Sequence, residues 1–346
     1  MHPTSTRPMD ALARGELPPL ERVRDDVWAL AQPMPGGHLA YSFTYLLLGA
    51  DGGVHVIDPG WDSDENWDRL VAALGEIVPG RSGTGAPGIG SPGTGSPGAD
   101  AVTGITGTHL HPDHVGMAAR LRAASGAQLA MHAVERRALE QHDTRTLDPD
   151  EAVERLRAWG VPEARRDELI QHVDRSPAGL VLAVDRELAD GDLLPIAGFR
   201  VSVMATPGHT AGHLCLRDDD RGLLFTGDHV LPTVFPGLGL GGATPSNPLA
   251  DYLSSVDALR PYGHYEAAPG HGYRFTGLGQ RAAECADHQL KRAREVASVL
   301  DEPTIWDIAS RLTWTAGWDR LHGFQLLSAL TQTAMHRDYV STHSLP

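Results

Sequence analysis

Short apolar runs alternating with polar positions fill most of the chain, and they give way to helical spacing over roughly its last fifth. From Val23 onward, VWALAQP, YSFTYLLLGA and VHVIDPG read as successive strands, with Asp51-Gly52-Gly53 as a hairpin turn. Residues 63–77 place Trp67, Leu70, Val71 and Leu74 on one face of an amphipathic helix. AVTGITGTHLHPDHVG predicts a strand that delivers a His-rich loop, followed by a helix over 117–125 and a strand at AQLAMH. Residues 133–175 are charged and helical in pattern, an excursion from the β/α alternation. Strand patterns resume at LVLAVDRELADGDLL, FRVSVMATPGHT, HLCLRD and GLLFTGDHV. From about Gly279 the spacing is helical, most clearly in QRAAECADHQLKRAREVASVL and TIWDIASRL. The pattern thus predicts a mixed α/β unit over residues 21–276 and a helical unit over 277–346.

Two segments stand apart from any core. Residues 1–20 contain Pro and lack periodicity, which predicts a loose N-terminal tail. Residues 80–99 hold eight Gly and three Pro in a near-repeat, which reads as a flexible surface insertion. The chain starts without a signal-like apolar core, and no apolar run approaches the roughly 18 residues of a membrane helix. The expectation is a cytoplasmic protein with no membrane partner.

Composition narrows the chemistry. The 346 residues carry a formal charge of −15, a poor match to phosphate backbones, so nucleic acid is disfavoured as a partner. There are 18 His but only two Cys, Cys215 and Cys285, which excludes a disulfide framework or a thiolate zinc site. A bound metal would have to be held by imidazole and carboxylate. His109-Leu110-His111-Pro112-Asp113-His114 gathers three imidazoles and a carboxylate at the end of a predicted strand. Alternation puts His109 and His111 on one side, and the turn at Pro112 re-aims Asp113 and His114, so one segment could feed two metal positions. Asp58 in VIDPG, His209 in TPGHTAGH, Asp228 in FTGDH and His271 in PGHG share one syntax, an apolar run ending in a polar residue at a tight Gly/Pro turn. Each is bland alone. With the cluster, they point to a polynuclear site on loops at one sheet edge.

VIDPG, THLHPDHVG, TPGHTAGH, FTGDH and PGHG, in that order, resemble the five ordered motifs of the metallo-β-lactamase superfamily, and the TPGHTAGH form is similar to its glyoxalase II-like branch. The resemblance spans residues 21–275. It implies an αβ/βα sandwich with metals at one edge, and two divalent ions for which zinc suits the ligands while iron and manganese are compatible. It implies one metal on His109, His111 and His209, and a second on Asp113, His114 and His271, with Asp228 bridging. It also implies that Asp58 orients ligands through hydrogen bonds and that His213 supports rather than ligates. The activity implied is hydrolysis by a hydroxide generated near neutral pH, with Asp113 or Asp228 shuttling the proton.

The substrate is less legible. Tyr41, Tyr45, Leu231, Phe235 and Tyr273 are candidate pocket residues, and residues 133–175 a candidate cap. Arg274 is the nearest basic residue to His271, and the basic residues that hold glutathione in the family's thioester hydrolases have no clear equivalent, so an ester, thioester or lactone is the expected class. A mononuclear-iron persulfide dioxygenase-like oxidoreductase and a nucleic-acid-cleaving hydrolase are the alternatives. Residues 277–346 resemble the winged-helix-like appendix of one branch of these hydrolases. Lys291, Arg292 and Arg294 form a basic stretch there, but seven Lys/Arg against eight Asp/Glu leave no basic face. Packing on the catalytic unit, or on a sister subunit in a homodimer, is the expected role.

Overall fold

The computed structural model describes residues 1–36, 39–78, 98–144, 149–173, 182–241 and 246–345. The Gly/Pro/Ser-rich stretch expected at 80–99 lies outside the described residues, apart from its last two positions.

Strands and helices are numbered in chain order. One sheet runs in sequence order through β2 (Glu21–Arg24), β3 (Val27–Pro33), β4 (Tyr41–Leu48), β5 (Val54–Ile57), β6 (Val102–Thr106), β7 (Gln128–His132) and β8 (Arg186–Leu188). Its first half is antiparallel and β5 to β8 are parallel. The second sheet has the order β1 (His2–Pro3), β13 (Phe275–Thr276), β12 (Glu266–Pro269), β11 (Leu223–Gly227), β10 (Leu214–Asp218) and β9 (Val201–Ala205). Period-two alternation explains how they stack. Tyr41, Phe43, Tyr45 and Leu47 of β4 turn toward Val203, Leu216 and Phe225 of the facing sheet, and together they build the central core. The opposite face of β4 and β5 presents Leu46, Val54 and Val56 to α2 (Asp64–Ile77). This helix starts where Ser63 caps the Asn66 amide and buries Trp67, Leu70 and Leu74. Beyond the second sheet, Cys215, Leu224 and Phe275 pack on α8 (Pro248–Ala258) and α9 (Leu278–Ala297). The result is the expected αβ/βα sandwich.

The first twenty residues are not a loose tail. β1 pairs with β13, the Thr4 amide donates to the Arg274 carbonyl at 2.9 Å, and α1 (Arg7–Ala13) follows with Pro8 and Ala11 buried. A two-residue strand and a seven-residue helix are too short to show periodicity in a sequence.

The excursion packs in part on the C-terminal helices. It contains α5 (Ala133–Thr144), α6 (Pro149–Ala158) and α7 (Glu163–Val173). Leu156, Val161 and Leu169 join Ile305 of α10 (Ile305–Arg311) and Leu326 and Leu330 of α11 (Gly323–Thr342) in one core. The Trp306 amide donates to the Trp159 carbonyl at 2.9 Å across this junction. Helices α6 and α7 thus share one core with the C-terminal helices, while Ala138 and Leu139 of α5 pack on the first sheet. Among the described residues after Thr276 there is no strand, so no β-wing accompanies these helices there. No helix among the described residues is long and apolar enough to cross a membrane.

If this shared core folds with the rest, truncating Leu156 or Leu330 to Ala should each cost about 2–5 kcal/mol in urea unfolding. The double variant should be non-additive by about 0.5–3 kcal/mol, because the two side chains share one cluster. Additive losses, or two separate transitions, would show that the segments fold apart.

Candidate metal centre

Every candidate ligand sits just after a strand. β6 ends at Thr106, and the loop beyond it carries His109 and His111 before a single turn, α3 (Pro112–Val115), begins with proline at its first position. That turn brings Asp113 and His114 to His271. β9 leads to His209, β11 to Asp228 and β12 to His271. Gly270 is required by close approach, since a Cβ there would lie 2.5 Å from Asp228 Oδ1 and 2.6 Å from His114 Cε1.

The seven side chains converge in two overlapping groups. His109 Nε2 lies 2.9 Å from His111 Nδ1, which lies 3.2 Å from His209 Nε2. His271 Nε2 lies 3.2 Å from Asp113 Oδ2 and 3.4 Å from His114 Nε2. Asp228 stands between them: Oδ1 is 3.4 Å from both His114 and His271, and Oδ2 is 3.7 Å from His209. Three triads have ligand atoms mutually within 4.8 Å: His109/His111/His209, His109/His114/Asp228 and Asp113/His114/His271.

The outward nitrogens show which atoms face inward. His111 Nε2 donates to the Leu240 carbonyl (2.8 Å), His209 Nδ1 to that of Gly237 (2.7 Å), and His271 Nδ1 to that of Tyr41 (2.8 Å). A carbonyl only accepts, so each of these nitrogens carries a proton. His114 Nδ1 donates to Asp58 Oδ2 at 2.9 Å. The Thr108 hydroxyl donates to the same carboxylate and accepts from His109 Nδ1 at 3.0 Å. All five rings thus aim their second nitrogen at the centre. Asp228 Oδ1 is buried and makes no hydrogen bond. The facing nitrogens of His109, His111 and His209, the unbonded Asp228 Oδ1 and the imidazole–carboxylate pairs beside them fit a pair of divalent cations.

The two halves differ electrostatically. Burial, reinforced by neighbouring imidazoles, holds His109 well below its ordinary pKa and His209 at about 4. Burial likewise lowers His111. Burial also disfavours charge on His114 and His271, but Asp228 and Asp113 outweigh it, lifting His114 well above the ordinary range and His271 to about 10. In return, and against the cost of burial, these rings bring Asp113 down to about 2 and Asp228 well below the carboxylate range. One half holds neutral rings and the other ion pairs.

Asp58 belongs to none of the three triads. It has φ +53°, the one positive φ among described non-glycine residues, and accepts the Thr108 amide at 2.7 Å. His213 is likewise no part of the three triads; its Nε2 accepts the Asp228 amide at 3.1 Å and its Nδ1 bonds Thr206 Oγ1 at 2.9 Å. The pocket candidates divide. Tyr41 and Tyr273 line one cavity. Tyr45 is instead in the central core with its hydroxyl on the Pro269 carbonyl, and Leu231 is buried. Phe235 is exposed but stacks on His288 at 3.8 Å, with the Arg281 guanidinium 4.5 Å from its ring centre. Tyr45 and Phe235 are each engaged by partners invisible in local sequence.

Two kinds of support escape the sequence reading. Glu135 of α5 is buried and accepts the Leu110 amide (2.8 Å) and the Gly212 amide (2.6 Å), tying together the loops that carry His109, His111 and His209. Arg281 of α9 donates to the Leu231 and Val234 carbonyls, both at 2.7 Å, while Gln332 of α11 donates to that of Leu238 at 2.8 Å. The latter two brace the loop whose Gly237 and Leu240 carbonyls orient two rings. None of these residues lies in a motif, and helical spacing alone cannot flag them.

Residues 39–271 match the family model described as the metallo-beta-lactamase superfamily. A beta-lactamase-like protein 2 homolog of Caenorhabditis elegans is 23% identical over 305 residues, covering 87% of this chain and 80% of that one. An atrochrysone carboxyl ACP thioesterase of Aspergillus chevalieri is 30% identical over 117 residues, 34% of this chain, and the match spans only 35% of the fungal protein. Among solved structures, a metallo-beta-lactamase family protein of Thermus thermophilus superposes with a TM-score of 0.70 at 26% identity, covering 92% of this chain and 94% of its own. That coverage is too extensive to leave out the C-terminal helices.

Proton competition should separate the two halves. A cation at Asp113/His114/His271 must displace the proton that His271 keeps up to about pH 10, so apparent affinity there should rise with pH, by up to about tenfold per unit for each proton displaced. The His109/His111/His209 group, with His209 titrating near 4, should bind with little pH dependence above about pH 6. Chelator competition at about pH 6.5 and about pH 8.5 would read both; parallel slopes would contradict this division. Glu135→Ala should weaken metal binding about 10–100-fold. It would leave the buried amides of Leu110 and Gly212 unpaired, and unchanged affinity would remove Glu135 from the supporting frame.

Proposed function

Since the chain belongs to the metallo-β-lactamase superfamily, we propose that it is a dinuclear metal-dependent hydrolase that cleaves an ester or thioester of a small molecule, with zinc as the metal pair. The carrying observation is the convergence of five inward ring nitrogens and two carboxylates whose outward bonds are already satisfied. A bound pair of divalent ions would supply Lewis acidity and lower the pKa of a bound water toward neutrality. His109, His111 and His209 would hold one ion, and Asp113, His114 and His271 the other, with Asp228 shared.

The chain's own groups account for the remaining needs of hydrolysis. Water oxygen bonds the acyl carbon, the carbon–oxygen or carbon–sulfur bond breaks, one water proton goes to the leaving alcohol or thiol, and the other stays with the carboxylic acid, which releases it to solvent. Asp113 is the partly exposed carboxylate of the cluster, while Asp228 is enclosed between the two groups, so Asp113 is placed to take the first proton and hand it to the leaving group. Asp58, through His114, and Tyr41, through His271, keep the rings from rotating. The completeness of the second ligand group supports a dinuclear site over a mononuclear iron oxygenase. An ester or thioester is favoured over a phosphodiester because the cavity beside His271 has no charged residue in its lining among the described residues. Arg292, the centre of the basic stretch, is occupied by Glu295 and the Thr313 carbonyl, which supports a small molecule rather than nucleic acid as partner. The partly matching fungal relatives named as thioesterases lend the thioester arm weight.

Zinc-, manganese- and iron-loaded protein should hydrolyse members of a panel of thioesters, esters and lactones, and leave phosphodiesters and glutathione persulfide untouched. Asp113→Ala should lower kcat by roughly 10²-fold or more. Retained hydrolysis in that variant, or oxygen consumption with the persulfide, would overturn the reading.

A further inference from the structure

A cavity of about 610 Å³ opens between α1 and the loop that follows Asp228. This lies within the roughly 300–1,000 Å³ typical of small-molecule sites. Met9 and Leu12 of α1 line it together with Thr233 and Val234 of the loop and with Tyr41 and Tyr273. Among the described residues, none that lines it carries a charge. The lining adjoins the metal centre: the Tyr41 carbonyl takes the Nδ1 proton of His271, and the Tyr41 hydroxyl donates to the Gly272 carbonyl. Gly272 and Tyr273 directly follow that ligand.

The lining from α1 is fixed in this position. β1 clips the N-terminal segment onto β13, two residues past Tyr273, and Thr4 Oγ1 donates to Glu266 at 2.7 Å. Pro8 and Ala11 seat the helix, while Leu12 stays 43% exposed. Val234, from the loop, is 37% exposed. These are two of only six large apolar side chains so exposed among the described residues, and they face the same space. An apolar ligand would remove both from water.

We propose that this cavity is an acyl-chain pocket, in which the N-terminal helix grips the apolar chain of an ester or thioester whose carbonyl lies at the His/Asp cluster. The proposal rests on the hydrolytic reading above and adds the substrate's chemistry to it. A phosphate-bearing or charged chain would find no oppositely charged partner among the described lining residues. A saturated chain would cover Met9, Leu12 and Val234 together, and each methylene that enters should raise kcat/KM by up to about fourfold, the equivalent of about 0.8 kcal/mol.

Two readouts test it, one independent of metal and turnover. N-phenyl-1-naphthylamine, titrated into the full chain without added metal, should bind saturably and be displaced by decanoate. Leu12→Asp and, on the loop, Val234→Asp should each weaken that binding at least about tenfold with an unchanged thermal transition, since both side chains are at the surface. With metal-loaded protein, kcat/KM for p-nitrophenyl octanoate should exceed that for the acetate at least about tenfold, and Leu12→Asp should bring the ratio near one. Hydrolysis indifferent to chain length and to both variants would overturn the pocket and leave the hydrolase standing. Probe binding lost in both variants, with no ester or thioester cleaved, would instead overturn the hydrolytic reading and leave an apolar binding cavity.

Discussion

The structure turns on an arrangement that is unfavourable by itself: ring nitrogens that face one another without a proton between them. His111 Nδ1 looks at His109 Nε2 across 2.9 Å and at His209 Nε2 across 3.2 Å, and the outward nitrogen of each ring holds the proton that would otherwise separate them. Burial denies these rings a second proton, so lone pair faces lone pair in a region with little screening. Only a cation relieves that opposition. The adjoining half meets the same constraint differently, by keeping protons on His114 and His271 and spreading their charge over Asp113 and Asp228. A cation entering one side would therefore displace protons, whereas on the other it would meet rings already free of them.

Much of the surrounding architecture serves to hold that geometry. Asp58 occupies the left-handed region, a conformation that costs a non-glycine residue about 1–3 kcal/mol. Its carboxylate accepts from the Thr108 amide, the Thr108 hydroxyl and His114, so the strain is fixed by three bonds from the very loop it orients. Glu135 accepts amides from two ligand loops at once, which makes their separation a property of one buried side chain. Buried carboxylates and strained backbones persist where surrounding bonds over-determine them, and here they share a single purpose.

How far the sequence foretells this follows from the range of each interaction. The ligands are visible because each stands at a fixed offset from a strand end, so VIDPG, THLHPDHVG, TPGHTAGH, FTGDH and PGHG carry chemistry and local structure in one string. Strands such as β3 and β4, and α2 with its Ser63 cap, are legible through period and capping. The N-terminal strand is not, because two residues gain their conformation only from pairing with β13 across the whole chain. The excursion at 133–175 shows its helices but not their partner, since helical spacing gives the apolar face and is silent on what covers it. Tyr41 and Tyr45 stand on the same face of β4, and only the facing sheet decides that one reaches the cavity while the other stays in the core.

The C-terminal helices carry the last step. Where candidate metal ligands rest on loops, their precision depends on what lies behind those loops. The segment from Leu231 to Leu240 supplies the Gly237 and Leu240 carbonyls to His209 and His111, and its carbonyls at Leu231, Val234 and Leu238 are taken by Arg281 and Gln332 from α9 and α11. α11 in turn shares its core with α6, α7 and α10. A path of packed and hydrogen-bonded groups thus runs from the C-terminal helices to two inward-facing rings. The change from strand to helix spacing near residue 277 marks where the chain stops building the sheets and begins to brace the loops they carry.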